Sequence, residues 1–399
     1  MGIRTLDDLP VADRVVGVRV DINSPLAHDA ELADDARLRA HVDTLSELLE
    51  RGGKVAILAH QGRPGGEAFE ELRAHADRLG ELLDAPVGYS DATFSASARD
   101  AVDGLESGEA VVLENTRFYS EEYMEFEPER ASRTHLVQRL VPHFDAFVND
   151  AFAAAHRSQP SLVGFPTVLP AYAGRVMERE IEVLGNIDDK PEPRTYVVGG
   201  AKVPDTMTVV RHSLEHGLAH EVLTTGLVAN VFLLAAGYDL GDASADVVYE
   251  RGHWDEIDRA AELLDAFPES IHLPSDVAVE RDGERVELSI DDLPPESDEA
   301  IKDVGSATVA RYRDILAASG TTILNGPAGV FEEAPFEDGT RDLFQVVADA
   351  GFSIVGGGDT SAAVRRFGIE GFDHVSTGGG AALRMLTGER LPAIEVLKS

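Results

Sequence analysis

The sequence contains no cysteine, five lysines and a single tryptophan among 399 residues. Without cysteine there is no disulfide and no thiolate metal site, so any metal must use oxygen or imidazole ligands, as Mg²⁺ does. No run approaches the ~18 consecutive apolar residues of a membrane helix, and the opening MGIRTLDDLP lacks the basic start and apolar body of a signal peptide. These absences predict a soluble, cytoplasmic protein with no membrane partner.

Positive charge is also scarce. Asp and Glu number 72 against 35 Lys and Arg, which gives a formal net charge of −37. Nucleic acid is excluded as a partner, because its binding depends on neutralising phosphates with basic side chains. The acidic excess is spread along the chain, which favours a protein adapted to concentrated salt, where screening reduces self-repulsion. In so acidic a chain, a cluster of Arg and His indicates a binding site.

Short β-branched runs alternate with helical segments along the chain, which is typical of doubly wound parallel sheets. Leu38, Val42, Leu45 and Leu49 repeat at helical spacing before Gly52, and predict a crossover helix. The runs form two sets, so we expect an α/β protein of two Rossmann-like parallel-sheet domains. The expected strands are 15–21, 54–60, 110–115 and 144–150, then 195–200, 221–226, 273–279, 321–326, 352–358 and 374–380.

The composition changes at 187–194, where IDDKPEPR follows an amphipathic stretch containing Met177, Ile181 and Leu184. We interpret this stretch as a hinge helix between the domains. The predicted organisation is an N-terminal domain over 1–175, a C-terminal domain over 176–386 and an exposed loop region over 282–303.

Polar and basic side chains follow the expected strands of the first half, at the sheet edge where open α/β folds bind ligands. Asp21 and Asn23 share one side of an extended segment and could hold a hydroxyl or carboxylate ligand, although such residues are also typical of turns. A single Arg is usually a solvated ion pair, but several on one edge repel unless an anion lies among them. The basic side chains are Arg37, Arg63, Arg117, Arg157, His60 and His156.

Glycine clusters follow two strands of the second half, at Gly199–Lys202 and Gly356–Thr360. Glycine lets backbone N–H groups approach a phosphate, and the helix expected after the second cluster adds a partial positive charge. Asp359 would hold Mg²⁺, or would merely cap that helix. Asn325 and Glu332 lie in a third strand-end loop, and Glu332 could accept from ribose or be solvated. The P-loop and dinucleotide signatures are not matched.

Taken in order, the motifs resemble those of the phosphoglycerate kinase family from about residue 15 to the C-terminus. The resemblance implies reversible phosphoryl transfer between 1,3-bisphosphoglycerate and ADP, giving 3-phosphoglycerate and ATP, in glycolysis or gluconeogenesis. It implies Mg²⁺, in-line transfer after hinge closure, a monomer, and a segment 387–399 that packs on the N-terminal domain. The motifs are RVDINSP, DDARLRA, AHQGRPGG, VVLENTRF, VNDAFAAAHR, GGAKV, ILNGPAGVFE, SIVGGGDT and HVSTGGGAA.

The same resemblance implies a role for each matching residue. Substrate-binding residues would be Asp21, Ile22, Asn23, Arg37, His60, Gln61, Gly62, Arg63, Arg117 and Arg157. Nucleotide-binding residues would be Gly200, Ala201, Lys202, Gly226, Asn325, Glu332, Gly357, Gly358, Asp359 and Thr360. Arg37, Lys202, Gly357 and Gly358 would be catalytic, and Asp359 would be the metal ligand.

Three positions depart from the family pattern. Thr206 stands where many members have a second lysine, Gln61 where leucine is common, and Thr224 and Thr225 where glycines are common. Two other functions stay open: an acyl-phosphate kinase acting on acetate or aspartate, and a non-catalytic sensor of nucleotides and anions. The four arginines argue against the first, because acetate has no second phosphate to occupy them.

Overall fold

The computed structural model describes residues 2–27, 32–296 and 299–398. The chain divides into two compact units, Met1–Glu182 with Glu389–Ser399, and Val183–Gly388. Over the residues described, no helix combines the length and apolar character needed to cross a bilayer.

The first unit is built on a six-stranded parallel sheet in the order β3-β4-β2-β1-β5-β6. The connections reverse direction between β1 and β5, and open α/β sheets bind ligands beside such a switch point. Its strands are β1 (Val15–Arg19), β2 (Lys54–Leu58), β3 (Val87–Ser90), β4 (Ala110–Leu113), β5 (Ala146–Asn149) and β6 (Ala171–Ala173).

Helices pack on this sheet over a core of Leu, Ile and Val side chains that includes Val16, Leu45 and Ile57. The crossover helix expected between the first two strands is instead two helices, α1 and α2, separated at His41. The helices are α1 (Ala36–Ala40), α2 (Val42–Glu50), α3 (Arg73–Leu83), α4 (Ala96–Asp103), α5 (Pro128–Ala131), α6 (His135–Leu140), α7 (Pro160–Val163) and α8 (Arg175–Leu184).

The chain passes from the first unit to the second within α8. The beginning of this helix packs in the first unit: the Arg175 N–H donates to Thr44 Oγ1 at 2.8 Å, and the Val176 N–H donates to Asp150 Oδ1 at 2.9 Å. The division between the units, after Glu182, therefore falls inside this helix.

The second unit has its own six-stranded parallel sheet, in the order β15-β14-β13-β7-β8-β9, and a three-stranded antiparallel sheet in the order β11-β10-β12. The strands are β7 (Arg194–Val198), β8 (Glu221–Thr224), β9 (Ile271–His272), β10 (Asp276–Arg281), β11 (Glu284–Ser289), β12 (Ile301–Val304), β13 (Thr321–Asn325), β14 (Phe352–Gly356) and β15 (His374–Val375).

A second core, which includes Val197, Leu324 and Phe344, lies between this sheet and its helices. The helices are α9 (Val203–Glu215), α10 (Gly226–Ala235), α11 (Gly241–Glu250), α12 (Asp255–Ala266), α13 (Ser306–Leu316), α14 (Asp338–Ala348), α15 (Gly358–Phe367) and α16 (Gly379–Leu386), followed by α17 (Pro392–Glu395), which lies in the first unit. There the Ala393 N–H donates to the Ala155 carbonyl at 3.1 Å.

The loop predicted over 282–303 is wrong in part, because β11 and β12 lie within it. Asp282 and Gly283 both have positive φ and form the two-residue turn of a β10–β11 hairpin. An Asp-Gly pair is a strong hairpin signal, since this turn needs two residues that tolerate left-handed backbone. The segment expected as a parallel strand at 273–279 contributes instead to antiparallel β10.

Candidate functional site

Four arginines that the sequence singled out, Arg37, Arg63, Arg117 and Arg157, all lie in the first unit, and we call them the arginine cluster. Arg37 donates from Nη1 to Asp21 Oδ2 at 2.6 Å. Within the described ranges, the other three form no ion pair with a carboxylate. Arg117 donates instead to the Gly62 carbonyl at 2.5 Å, and the Arg157 Nε–H donates to His156 Nε2 at 3.2 Å.

The members of the cluster are close enough to perturb each other electrostatically. Burial lowers the pKa of Arg117 to about 10, and the charges of Arg157, Arg19 and Arg63 contribute. Burial also lowers the pKa of Arg157, where Arg63 and Arg37 act in the same direction and Asp21 opposes them. Like charges held together in this way favour an anion as their ligand, and guanidinium forks suit phosphate or carboxylate.

Arg19, at the end of β1, belongs to the same region and was not selected from the sequence. Its side chain is 2% exposed, and burial lowers the pKa of the guanidinium. The Nε–H donates to Ser161 Oγ at 3.0 Å, and that hydroxyl donates to the buried carboxylate of Glu122 at 2.6 Å. The carboxylate of Glu122 therefore compensates the charge of Arg19 through the Ser161 hydroxyl. The sequence feature that could have identified Arg19 is a single Arg within an otherwise apolar strand.

His60 lies against Arg19 at the end of β2. Arg19 Nη2 donates to His60 Nδ1 at 2.8 Å, so the ring proton of neutral His60 is on Nε2. Burial and the charge of Arg19 lower the pKa of His60 well below its usual value. His60 is thus a neutral hydrogen-bond donor beside the arginine cluster.

The remaining first-unit candidates shape the loops that follow the strands. Asn23 Oδ1 accepts from the Gly62 N–H at 2.9 Å, which ties the loop after β1 to the loop after β2. Gln61 is fully buried, and its side-chain amide donates to the Ala68 carbonyl at 3.0 Å. Ile22 is buried in the core. Although burial of Asp21 opposes ionisation, the neighbouring guanidinium groups of Arg37 and Arg19 lower its pKa to about 2.

The second unit contains a cavity of about 360 Å³ at the ends of its parallel strands, within the size range of small-molecule sites. Glycine is required in its wall where two loops meet, since a Cβ on Gly226 would lie 2.8 Å from the Gly200 backbone nitrogen. We call this space the second-unit cavity. Predicted residues that line it are Gly200, Ala201, Gly226, Glu332 and Asp359.

Lys202 and Asp359 form an ion pair with Nζ 3.2 Å from Oδ2, and both side chains are more than half exposed. Gly357 precedes α15 with a φ of +96°, a conformation that favours glycine, and Gly358 is the first residue of that helix. The hydroxyl of Thr360 accepts from the Gly326 N–H at 2.8 Å. This bond ties the loop after Asn325 to the first turn of α15, where backbone N–H groups favour anions.

The family departures in the second unit are explained by internal contacts. Thr224 Oγ1 donates to the His272 carbonyl at 2.9 Å, and Thr225 Oγ1 to the Val198 carbonyl at 3.2 Å. Thr206 is 1% exposed, so it supplies neither charge nor an accessible hydroxyl. Arg251, by contrast, lines the cavity, is exposed, and has no carboxylate partner in the part of the chain that the structure describes.

Two parallel-sheet units, one with a cluster of arginines and the other with a glycine-walled cavity, form the arrangement expected of an α/β phosphotransferase. A family model described as phosphoglycerate kinase matches residues 6–389. The chain belongs to the phosphoglycerate kinase family.

Individual relatives are similar to the chain over its whole length. The chain is 66% identical over 398 residues to a phosphoglycerate kinase of Halobacterium salinarum, with 100% of both chains covered. It is 62% identical to the enzyme of Natronomonas pharaonis, over 99% of this chain and 100% of the relative. A crystal structure of phosphoglycerate kinase from Pyrococcus horikoshii superposes with a TM-score of 0.94 at 42% identity, covering 99% and 98% of the two chains.

The resemblance stated from the motifs is therefore confirmed, as is the prediction of an α/β protein with two parallel sheets, each of which has six strands. The chain is a kinase of glycolysis that acts on small-molecule substrates, with ATP or ADP as one of them. Its likeness to enzymes of halophilic archaea accords with the acidic composition.

Proposed function

We propose that the arginine cluster binds 3-phosphoglycerate or 1,3-bisphosphoglycerate and that the second-unit cavity binds Mg-ATP or Mg-ADP. The enzyme would transfer the acyl phosphoryl group reversibly from 1,3-bisphosphoglycerate to ADP. The observation that carries this proposal is that, among the residues the structure describes, Arg63, Arg117 and Arg157 have no carboxylate partner, although the chain has a net charge of −37. A multiply charged phosphorylated acid would supply the negative charge and the hydrogen-bond acceptors that these three guanidinium groups lack.

In the first unit, Arg63, Arg117 and Arg157 would hold the phosphate that is not transferred. His60 would donate its Nε2 proton, since Nδ1 is already occupied by Arg19. Asp21, Ile22 and Asn23, with Gln61 and Gly62, would form the loops around the glycerate hydroxyl and carboxyl groups. The hydrogen bond between Asn23 and Gly62 supports this role because it fixes both loops together.

Arg37 would act on the transferred phosphoryl group. Its present partner is the buried carboxylate of Asp21, which the charge of Arg19 also stabilises, so Asp21 does not depend on Arg37 alone, and the Arg37 side chain is 46% exposed. The guanidinium can therefore exchange the carboxylate for a phosphoryl oxygen. In-line transfer needs positioned reactants and compensated charge, and it needs no nucleophile from the protein.

In the second unit, Gly200, Ala201 and Gly226 would border the nucleotide, and Glu332 would accept from the ribose hydroxyls. Lys202, Gly357, Gly358 and Thr360, with Asn325, would surround the phosphates. Support comes from the position of the Lys202 ammonium group, 3.2 Å from Asp359 and at the same end of the cavity as the first turn of α15.

Asp359 would hold Mg²⁺. The donor set fits this ion, because Mg²⁺ commonly takes one or two carboxylates, with nucleotide phosphates and water completing its shell. Among the described residues no group of three or more acidic or His side chains forms a metal cage, so the nucleotide itself would complete the shell. When bound, Mg²⁺ would compensate charge on the phosphates. Lys202, released from Asp359, would then be available to a phosphate oxygen.

Arg251 would supply the positive charge that Thr206 does not. It follows α11 on the wall of the second-unit cavity, and the neighbouring His253 Nε2 lies 3.2 Å from the Ala201 carbonyl oxygen, beside Lys202. This contact keeps the segment after α11 close to the glycine turn. We further propose that the enzyme is a cytoplasmic monomer that binds neither nucleic acid nor membrane.

A coupled assay of ATP formation tests the reaction, with 1,3-bisphosphoglycerate compared with acetyl phosphate and aspartyl phosphate. We expect turnover only with the first, and turnover with acetyl phosphate would favour another acyl-phosphate kinase. Arg117→Gln should raise the KM for 3-phosphoglycerate by at least tenfold. Arg139→Gln, at an exposed position of α6, is the matched control. Nucleotide binding without turnover would favour a sensor.

A further inference from the structure

His41 is a buried histidine that the sequence did not single out, and it links two residues at the switch point of the first sheet. Its side chain is about 3% exposed. Nδ1 lies 2.7 Å from Asp150 Oδ2, at the end of β5. Nε2 lies 3.1 Å from the backbone nitrogen of Asp21, at the end of β1.

The hydrogen bonds determine the tautomer of His41. Nε2 lies 3.1 Å from the Asp21 backbone nitrogen and 3.3 Å from the Asp21 carbonyl oxygen, and the shorter of these contacts, in which the backbone N–H donates, makes Nε2 the acceptor. The ring proton is then on Nδ1 and is donated to Asp150. The other oxygen of Asp150 accepts from the Val176 and Met177 N–H groups at 2.9 and 3.3 Å, in the first turn of α8. Every polar atom of the imidazole is thus used to hold backbone elements of the first unit together.

His41 and Arg37 act on the same residue from the same helix. They are four positions apart, which places both side chains on one face at the end of α1. Arg37 bonds the side chain of Asp21, and His41 bonds its backbone. Helix α1 has only five residues, and its bonds to Asp21 add to the anchoring that the buried Leu38 provides.

We propose that His41 is a positioning residue for phosphoryl transfer, which it serves by holding α1 and the loop after β1 in register. The inference rests on the proposed role of Arg37. When Arg37 leaves the Asp21 carboxylate for a phosphoryl oxygen, one of the two bonds between α1 and Asp21 is lost. The His41 bond to the Asp21 backbone remains, and it keeps the guanidinium aimed at the reacting group.

Two conservative variants test the two hydrogen bonds of the His41 imidazole one at a time. In His41→Gln the terminal amide reaches the position of Nε2 and can accept from Asp21. In His41→Asn the shorter amide reaches the position of Nδ1 and can donate to Asp150, but not reach Asp21. Each variant loses one hydrogen bond, so comparable losses of stability are expected.

The proposal expects different effects on catalysis. His41→Asn should lower kcat by about tenfold or more and leave the Kd for ADP within twofold, whereas His41→Gln should retain kcat within about threefold. A merely structural role predicts equal effects of the two variants on kcat, and that result would overturn the proposal. So would an unchanged kcat in His41→Asn.

A double-mutant cycle with Arg37→Gln tests whether His41 acts through Arg37. We expect His41→Asn to cause no further loss of kcat once Arg37 is replaced, and an undiminished further loss would refute the proposal. Should His41→Asn not fold, the cycle is run with His41→Gln, for which a large loss in both backgrounds is the refuting result. If Arg37→Gln alone leaves kcat unchanged, the proposed role of Arg37 fails instead, and the positioning role built on it fails too.

Discussion

His75 should make the stability of the first unit depend on pH. It lies in α3 with no exposed surface, and Nε2 is 2.9 Å from the Ser24 carbonyl oxygen, next to Asn23. A carbonyl can only accept, so the proton is on Nε2. Nδ1 is buried and has no partner among the residues described. Burial lowers the pKa to about 4 from 6.5, although the bond to Ser24 opposes this.

The direction of this pH dependence follows from proton linkage. The unfolded chain binds a proton on His75 below a pKa of about 6.5, whereas the folded protein binds it only near pH 4. His75 therefore costs no stability above pH 6.5, and its cost grows as the pH falls and saturates below pH 4. The full effect is about 3 kcal/mol, of which about 2 kcal/mol is lost between pH 7 and pH 5.

The comparison variant is His75→Gln, because its amide can donate to Ser24 but does not titrate. Urea unfolding is followed by far-UV circular dichroism at pH 7 and pH 5, at one high KCl concentration. Between pH 7 and pH 5, the free energy of unfolding should fall by about 2 kcal/mol more in the parent than in the variant. Trp254, the single tryptophan, lies in the second unit, so its fluorescence follows that unit separately. Equal pH dependence in parent and variant would refute the reasoning.

Four further predictions follow from the same contacts. Arg157→Gln should weaken 3-phosphoglycerate binding at least tenfold in calorimetry, yet raise the urea midpoint of the ligand-free enzyme, since one of several repelling charges is removed. Asp359→Asn should reduce the Mg²⁺ dependence of ADP affinity, and equal dependence in parent and variant would exclude the metal role. Arg251→Ala should weaken ADP binding about tenfold, with Arg139→Ala as the control. In dilute buffer without divalent cations the parent should unfold, and a retained circular dichroism spectrum would contradict salt adaptation.

The parallel strands could largely be predicted, because each central strand is a short β-branched run bounded by polar or glycine residues. Val15–Arg19 and Thr321–Asn325 lie inside their predicted ranges. The peripheral strands could not be predicted, since Val87–Ser90 and Ala171–Ala173 are short and lack a β-branched run. Their pairing depends on neighbours distant in sequence, which a local pattern does not contain.

Candidate residues were found where a polar side chain follows an apolar strand, as with Arg117 or Asp359. Residues whose importance lies in burial were missed, because sequence does not show which polar groups lose water. Arg19 and His41 are examples, since their roles follow from contacts with Ser161, His60 and Asp150. A buried histidine and a solvated one look alike in a sequence.

In its proposed role, the arginine cluster would connect this acidic composition with specificity for a phosphorylated acid. The burial and mutual repulsion that lower the pKa of Arg117 to about 10 are unfavourable to the empty site, and a bound anion offsets them. Neutral His60 adds a donor without adding to the repulsion. A bound phosphate would therefore be attracted by positive charges whose mutual repulsion lowers the stability of the folded protein. Chloride from concentrated salt can screen these groups but cannot bridge three guanidinium forks at once. Because Arg117 and Arg157 are buried or partly buried, salt would screen them less than it screens exposed ion pairs, and we expect the affinity for 3-phosphoglycerate to fall less steeply with KCl than that of a single exposed Arg for phosphate.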